Sequence, residues 1–285
     1  MSAQPQIHEG FGCRATLWPR GPALNDEPTA AIGKIEVTSQ SAASKFLNSL
    51  VEKCRQQGAS WVLAPLDGDT WHTYRLAVSG SERPFFAMEP PAHPVLEAAL
   101  HQAGFVEQLH YLSAEVALNA ERTPRERSTH LSIRALNTRD AEADLERMYR
   151  IASVAFKTAP LFTPIDFDAF AALYRPALAK VVPELVLFAE DERGEAAGFL
   201  FGFPDWAEGS ASPRAAILKT YAVLTPGGGT GALLAETFTD RARRLGFRTV
   251  IHALMHEDNR SLRHSDSLGG SPFRRYALFA RSTRA

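Results

Sequence analysis

The stretch from Ala215 to Arg281 constrains the fold more than any other. It reads as an apolar strand (Ile217 to Leu224), a glycine-rich turn (Thr225 to Gly231), a helix (Ala232 to Leu245), a second strand (Thr249 to His256), a short helix (Asn259 to Leu268) and a closing strand (Arg274 to Arg281). A strand that breaks into glycines just before a helix leaves backbone N–H groups bare. Such groups can hold phosphate oxygens, which gives the stretch a chemical handle.

The elements before it follow the same periodicities. A strand is expected over Ala31 to Val37 and a helix over Ser41 to Gln57, with Ala43, Phe46, Leu47, Leu50, Val51 and Cys54 on one face and Gly58 as its stop. Trp61 to Leu66 reads as a buried strand that Pro65 ends or bulges, Pro94 to Ala103 as a helix, and Phe105 to Leu118 as a strand. The first thirty residues carry Pro5, Pro19, Pro22 and Pro28 and read as irregular or edge structure. The polar run AERTPRERSTH over residues 120–130 is the best linker. It divides the chain into a domain over residues 1–120, a linker over 121–130 and a second domain over 131–285. Beyond it come a strand (Leu131 to Leu136), helices (Asp140 to Lys157, and Asp166 to Ala179 with Pro176 near its end) and a hairpin (Glu184 to Glu190 with Ala196 to Phe203). Consecutive strands precede the first helical crossover, which is not a doubly wound order. The segments QQGASWVLAPL (residues 56–66) and RLGFRTVIHAL (244–254) share a helix end, a glycine and a buried strand. They suggest a repeat in which the first half is a shortened copy of the second.

Composition excludes several classes of partner. A chain of 285 residues with net charge −1 carries no basic footprint for nucleic acid or anionic lipid. No apolar run is long enough to cross a bilayer, and MSAQPQIHEG lacks the regions of a signal peptide. Cys13 and Cys54 stand far from any metal or redox spacing, so no metal is expected, and a cytoplasmic protein with free thiols is.

The segments LKTYAVLTPGGGTGALL and RLGFRTVIHALMHEDNRS, in this order of elements, resemble the GNAT superfamily of acyl-CoA-dependent N-acetyltransferases. The resemblance covers residues 131–282, and LHQAGFVEQLHYLSAEVAL is similar to the closing helix, Gly-Phe pair and strand of a second GNAT half. It implies an α+β fold, a mixed and mostly antiparallel sheet flanked by helices, with a smaller, degenerate GNAT-like domain in front. It implies acetyl-CoA as co-substrate and a small-molecule or peptide amine as acceptor, and leaves room for a homodimer. By position, Tyr221, Ala222, Val223 and Leu224 would pair with the pantetheine arm. Gly227, Gly228, Gly229, Thr230, Gly231 and Ala232 would hold the pyrophosphate, and Asn259 would contact the coenzyme. No glycine turn lies between Val37 and Ser41, so no phosphate site is expected in the first half.

Two positions depart from the family pattern. Pro226 stands where the motif has Arg or Gln, and about Asp266 falls where a Tyr often protonates the leaving thiolate. Acyl transfer to an amine needs a neutral amine, a polarised carbonyl and a proton for the thiolate. His256 and Glu257 at the strand exit are candidate bases, with capping as the alternative for Asp258 or Asn259. Tyr276 is a candidate acid or substrate contact, with simple packing as its alternative. A non-catalytic acyl-CoA-binding or sensing protein of the same fold is the competing reading. The cluster Trp71, His72, Tyr74 and Arg75 reads as a pocket lining or as packing.

Overall fold

Strand and helix periodicities recur twice along the chain, and each set closes its own core. The structure, a computed structural model, describes residues 4–118, 130–178, 181–208 and 213–284. These divide into two compact units: residues 1–111, 159–163 and 274–285 form the first, and residues 112–158 and 164–273 the second. The expected linker over 121–130 lies outside the described residues except for His130.

In the first unit, strands β1 (Gln6–Gly10), β2 (Cys13–Trp18), β3 (Thr29–Glu36) and β4 (Trp61–Ala64) lie side by side in that order. β12 (Ser271–Ser282) follows β4, pairing antiparallel from Phe279↔Ala64 to Ser282↔Trp61, and β5 (Leu76–Ser79) also pairs with β12. The hairpin β1–β2 falls where the prolines suggested irregular or edge structure. β1 is the edge strand, whereas β2 lies between β1 and β3. The prolines flank the two strands instead of interrupting them. Phe11 and Gly12, both at positive φ, make the tight turn between them. Helix α1 (Gln40–Gln56) buries Ala43, Phe46, Leu47, Leu50, Val51 and Cys54 against β2, β3 and helix α2 (Pro94–Gln102). Burial pushes the Cys54 thiol up to about 12, so it packs as an apolar group. β5 was not expected; its four residues are too short to show a period.

β6 (Val106–Ala117) runs from the first unit into the second. The second unit's strands lie in the order β6, β11 (Thr249–His256), β10 (Ala215–Val223), β9 (Ala196–Pro204), β8 (Val186–Glu190), β7 (Ser132–Ala135). β7 to β10 are antiparallel, and β10 and β11 are parallel, joined by helix α5 (Thr230–Arg244). Leu234, Ala235, Phe238 and Ala242 of α5 pack on Leu187, Leu200, Ala216, Leu218 and Val250. Helix α3 (Ala141–Ala155) packs on β9 and β10 and on helix α4 (Phe167–Leu178), and α6 (Arg260–Ser267) follows β11. This is the mixed, mostly antiparallel sheet flanked by helices that the resemblance implied.

Both units contain the same strand–helix–strand device. β3 and β4 are parallel around α1 as β10 and β11 are around α5, and the glycines that stop the helices, Gly58 and Gly246, both adopt positive φ. They differ at the helix start. Ser39 caps α1, its Oγ accepting the Ala42 N–H at 3.4 Å, whereas α5 begins at Gly229 with no side-chain cap.

Candidate functional site

The second unit's two central strands begin paired and then part. Their ladder runs from Ala215↔Thr249 to Leu218↔His252 and, among the described residues, ends there. Two irregularities coincide with the parting. On β10 the register against β9 shifts between Leu218 and Thr220, so Lys219 is an extra residue, a bulge that re-aims the strand. On β11, Leu254 takes a left-handed conformation (φ 59°), and its N–H is accepted by Ser113 Oγ at 3.1 Å.

β10 stays with β9 to its end, where the Leu224 N–H donates to Ala197 O at 2.9 Å. Bonds in an antiparallel ladder alternate, so Thr220 and Ala222 also spend their backbone groups on β9. The N–H and C=O of Tyr221 and Val223 therefore face the side that β11 has left. Thr225 to Gly228 form an exposed turn with Gly227 at φ 92°, and Gly229, at φ 81°, opens α5. A side chain at Gly229 would strain this left-handed position. The first intrahelical bond is Leu233 N–H to Gly229 O at 2.9 Å, so the N–H groups of Thr230, Gly231 and Ala232 have no acceptor within the helix. A Cβ at Gly231 would stand 3.1 Å from Cε2 of Tyr221, so the Tyr221 ring lies against this first turn. Burial raises the Tyr221 phenol, which stays protonated across neutral pH.

The other candidate residues are placed as follows. His256 ends β11, and its Nδ1 accepts the Asp258 N–H at 3.2 Å. That bond uses the Nδ1 lone pair, so the neutral ring carries its proton on Nε2. Glu257 is exposed beside it. Asn259 caps α6, its Oδ1 accepting the Ser261 N–H at 3.3 Å, so of the two capping alternatives it takes the role. Asp266 is exposed on α6, whose inward positions are Ser261 and Ser265. Tyr276 lies in the first unit, fully buried, and its hydroxyl donates to the Glu89 carboxylate. There it belongs to a clamp in which Arg274 Nη1 meets Glu89 Oε1 at 2.7 Å and Arg274 Nε donates to Gly80 O at 2.8 Å.

One residue of the second unit escaped the sequence reading. His252 stands at the last rung before the strands part, 4% exposed, with no hydrogen-bond partner on Nε2. Burial, helped by the charge of nearby His264, lowers its pKa to about 4, so the ring is neutral at physiological pH. The available signal was a lone histidine inside the apolar run TVIHALM. A separate cavity of about 570 Å³, lined by Trp206, Arg214, Phe247 and Arg248 among others, lies at the opposite end of β10 and β11 and does not touch these groups.

No protein-family model and no curated protein sequence matches the chain. Solved structures do. A GCN5-related N-acetyltransferase from Sphaerobacter thermophilus superposes with a TM-score of 0.55 at 16% identity, over 96% of this chain and 77% of that one. A tandem GNAT protein from the clavulanic acid biosynthesis pathway gives 0.52 at 15% identity, over 96% of this chain and 79% of that one. A GCN5-related N-acetyltransferase from Anabaena variabilis gives 0.52 at 9%, over 98% of this chain and 58% of that one. The likeness takes in both units, and the chain therefore has the fold of the GCN5-related N-acetyltransferases, one that a tandem GNAT protein shares over 96% of this chain.

Proposed function

We propose that this protein is an acyl-CoA-dependent N-acyltransferase, with acetyl-CoA as donor and a small-molecule or peptide amine as acceptor attacking the thioester directly. One observation carries the reading: β10 parts from β11 beside a helix whose first N–H groups have neither cap nor intrahelical acceptor. These residues fit the coenzyme. The N–H groups of Thr230, Gly231 and Ala232 suit pyrophosphate oxygens, and glycine at 231 keeps side-chain bulk away from both Tyr221 and that anion. The backbone of Tyr221 and Val223 suits the amides of an extended arm, as a strand edge suits an added strand. Coenzyme A supplies the acyl group as an activated thioester. Pro226 contributes no side-chain donor, so retention of phosphate rests on backbone groups and the helix dipole.

The competing reading is a non-catalytic acyl-CoA-binding or sensing protein, and specific observations favour it. His256 has its Nδ1 lone pair engaged, Tyr276 spends its hydroxyl on Glu89, and Asp266 faces solvent. Calorimetry with acetyl-CoA tests the shared part. Micromolar to millimolar binding is expected in the wild type, with at least tenfold weaker binding in Gly231→Val. Absence of heat at millimolar ligand would remove both readings. Thiol release across a panel of amines then separates them, since a sensor would bind without turnover.

A further inference from the structure

We propose that the first unit carries a binding site for a small oxyanion, a carboxylate or a phosphate group, centred on Arg75. The site is independent of the acyltransferase reading. Arg75 is 5% exposed, and among the described residues no carboxylate pairs with it. Its Nε and Nη1, which carry three of the five N–H bonds of a guanidinium, have no acceptor. An arginine cannot relieve such a position by losing its proton.

The same unit shows what a compensated buried arginine looks like. Arg274, 1% exposed, is met by the Glu89 carboxylate at 2.7 Å and by the carbonyls of Gly80 and Arg83. At Arg75 no carboxylate among the described residues does this, and the compensation is a hydrogen bond with the Tyr111 phenol and two aromatic rings. Its Cζ lies 4.1 Å from the centroid of the Tyr74 ring and 4.0 Å from that of Tyr111, and those rings meet edge to face at 5.9 Å. Ring faces offset part of the cost of desolvating a guanidinium, but less than a hydrogen-bonded anion does. They also direct the ligand. The two rings stand roughly at a right angle to each other about Cζ, so they cover one face and one side of the guanidinium and leave the N–H bonds of Nε and Nη1 for a carboxylate or a phosphate.

The backbone is held in a form that delivers this side chain. Arg75 has φ 65°, in the left-handed region that a long side chain rarely occupies. It is clamped by its N–H to Pro65 O at 3.0 Å and by the bridge Leu66↔Tyr74. The preceding loop is anchored in turn, Trp71 Nε1 donating to Thr163 O at 2.7 Å and Asp67 Oδ1 accepting the Lys34 N–H at 2.7 Å. Strain persists where surrounding contacts over-determine it, and such residues cluster at ligand clamps.

The test follows thermal unfolding and calorimetric binding of the full chain with sodium acetate and with inorganic phosphate, at ionic strength matched with sodium chloride. A Tm rise of a few degrees at saturating anion is expected, absent with chloride alone, and the anion with the larger effect identifies the group. Arg75→Met is expected to abolish the rise while raising the anion-free Tm, because an apolar side chain of similar length replaces an uncompensated charge. Arg75→Lys keeps the charge without the fork and is expected to bind the anion at least tenfold more weakly; it decides the matter should the Met variant fail to fold. No response to either anion, a response that survives in Arg75→Met, or unchanged affinity in Arg75→Lys would overturn the proposal.

Discussion

Acidification from pH 7 to pH 4 is expected to weaken the second unit through one side chain, His252. Its ring is buried, its Nε2 has no hydrogen-bond partner among the described residues, and the charge of His264 also disfavours protonation. The ordinary value of 6.5 holds in the unfolded chain and about 4 in the native one. Between those values the unfolded chain binds a proton that the native chain does not. Stability therefore rises with pH across the window and is lost as pH falls through it. Integrating the difference gives a loss of about 2 kcal/mol by pH 5 and about 3 kcal/mol by pH 4. That is a large share of the ~5–15 kcal/mol that holds a typical domain folded.

Urea unfolding at pH 7, 6 and 5, on the wild type and on His252→Leu, reads this directly. The leucine variant gives up no hydrogen bond at Nε2 and is expected to lie within about 1 kcal/mol of the wild type at pH 7. Its stability should fall about 2 kcal/mol less than that of the wild type between pH 7 and pH 5. The difference between the two proteins matters, not the absolute slope. His72, whose pKa is raised by its hydrogen bond to Asp69, pulls the other way, adding stability below its unfolded value that is lost as pH rises. The ring resonances of His252 in a proton NMR titration give the pKa itself. A native midpoint near 6.5, or parallel pH profiles for the two proteins, would refute the reasoning.

Two further substitutions probe the frame around the cleft. Gly202→Ala would place a Cβ 2.4 Å from Phe238 Cε2 and 2.7 Å from Ile217 O, so α5 must move off β9. A loss of about 2–3 kcal/mol in urea unfolding is expected, and a loss below ~0.5 kcal/mol would show that the helix shifts freely. Arg134→Met would remove two bonds, at 2.8 and 2.6 Å, from the carboxylate of Asp144, which is 1% exposed and would keep only the Asn137 N–H and Arg147. Because Arg134 is itself 30% exposed, the expected cost is about 2 kcal/mol, measured in the same assay.

Local chemistry explains which elements were legible in the sequence. β11 was expected over the residues where it forms, and the inward face of α1 follows from apolar spacing alone. Such signals are carried by neighbours in the chain. Partnership between distant strands is not. An apolar run over Arg274 to Arg281 suits many sheet positions, and nothing in it announces that Phe279 will pair with Ala64. The hairpin β1–β2 was obscured differently. Cys13, Ala15 and Leu17 alternate inward over too few residues to stand out among four prolines.

The candidate site divides along the same line. Its glycines were legible because turns and uncapped helix starts need particular residues at adjacent positions, and Gly227, Gly229 and Gly231 supply them. The opening beside them depends on Lys219 as an extra residue and Leu254 in a left-handed conformation, and neither residue type marks a bulge or a kink. A glycine at 254 would have been visible. Leucine is held there because its N–H finds Ser113, which precedes it by more than a hundred residues in the chain. His252 is likewise unremarkable as a letter in a strand. Its neutrality comes from the last rung of a ladder and from a helix that folds back with His264. What the sequence states locally is a glycine turn before a helix, and what the fold adds is a strand edge beside it that has no pairing partner among the described residues.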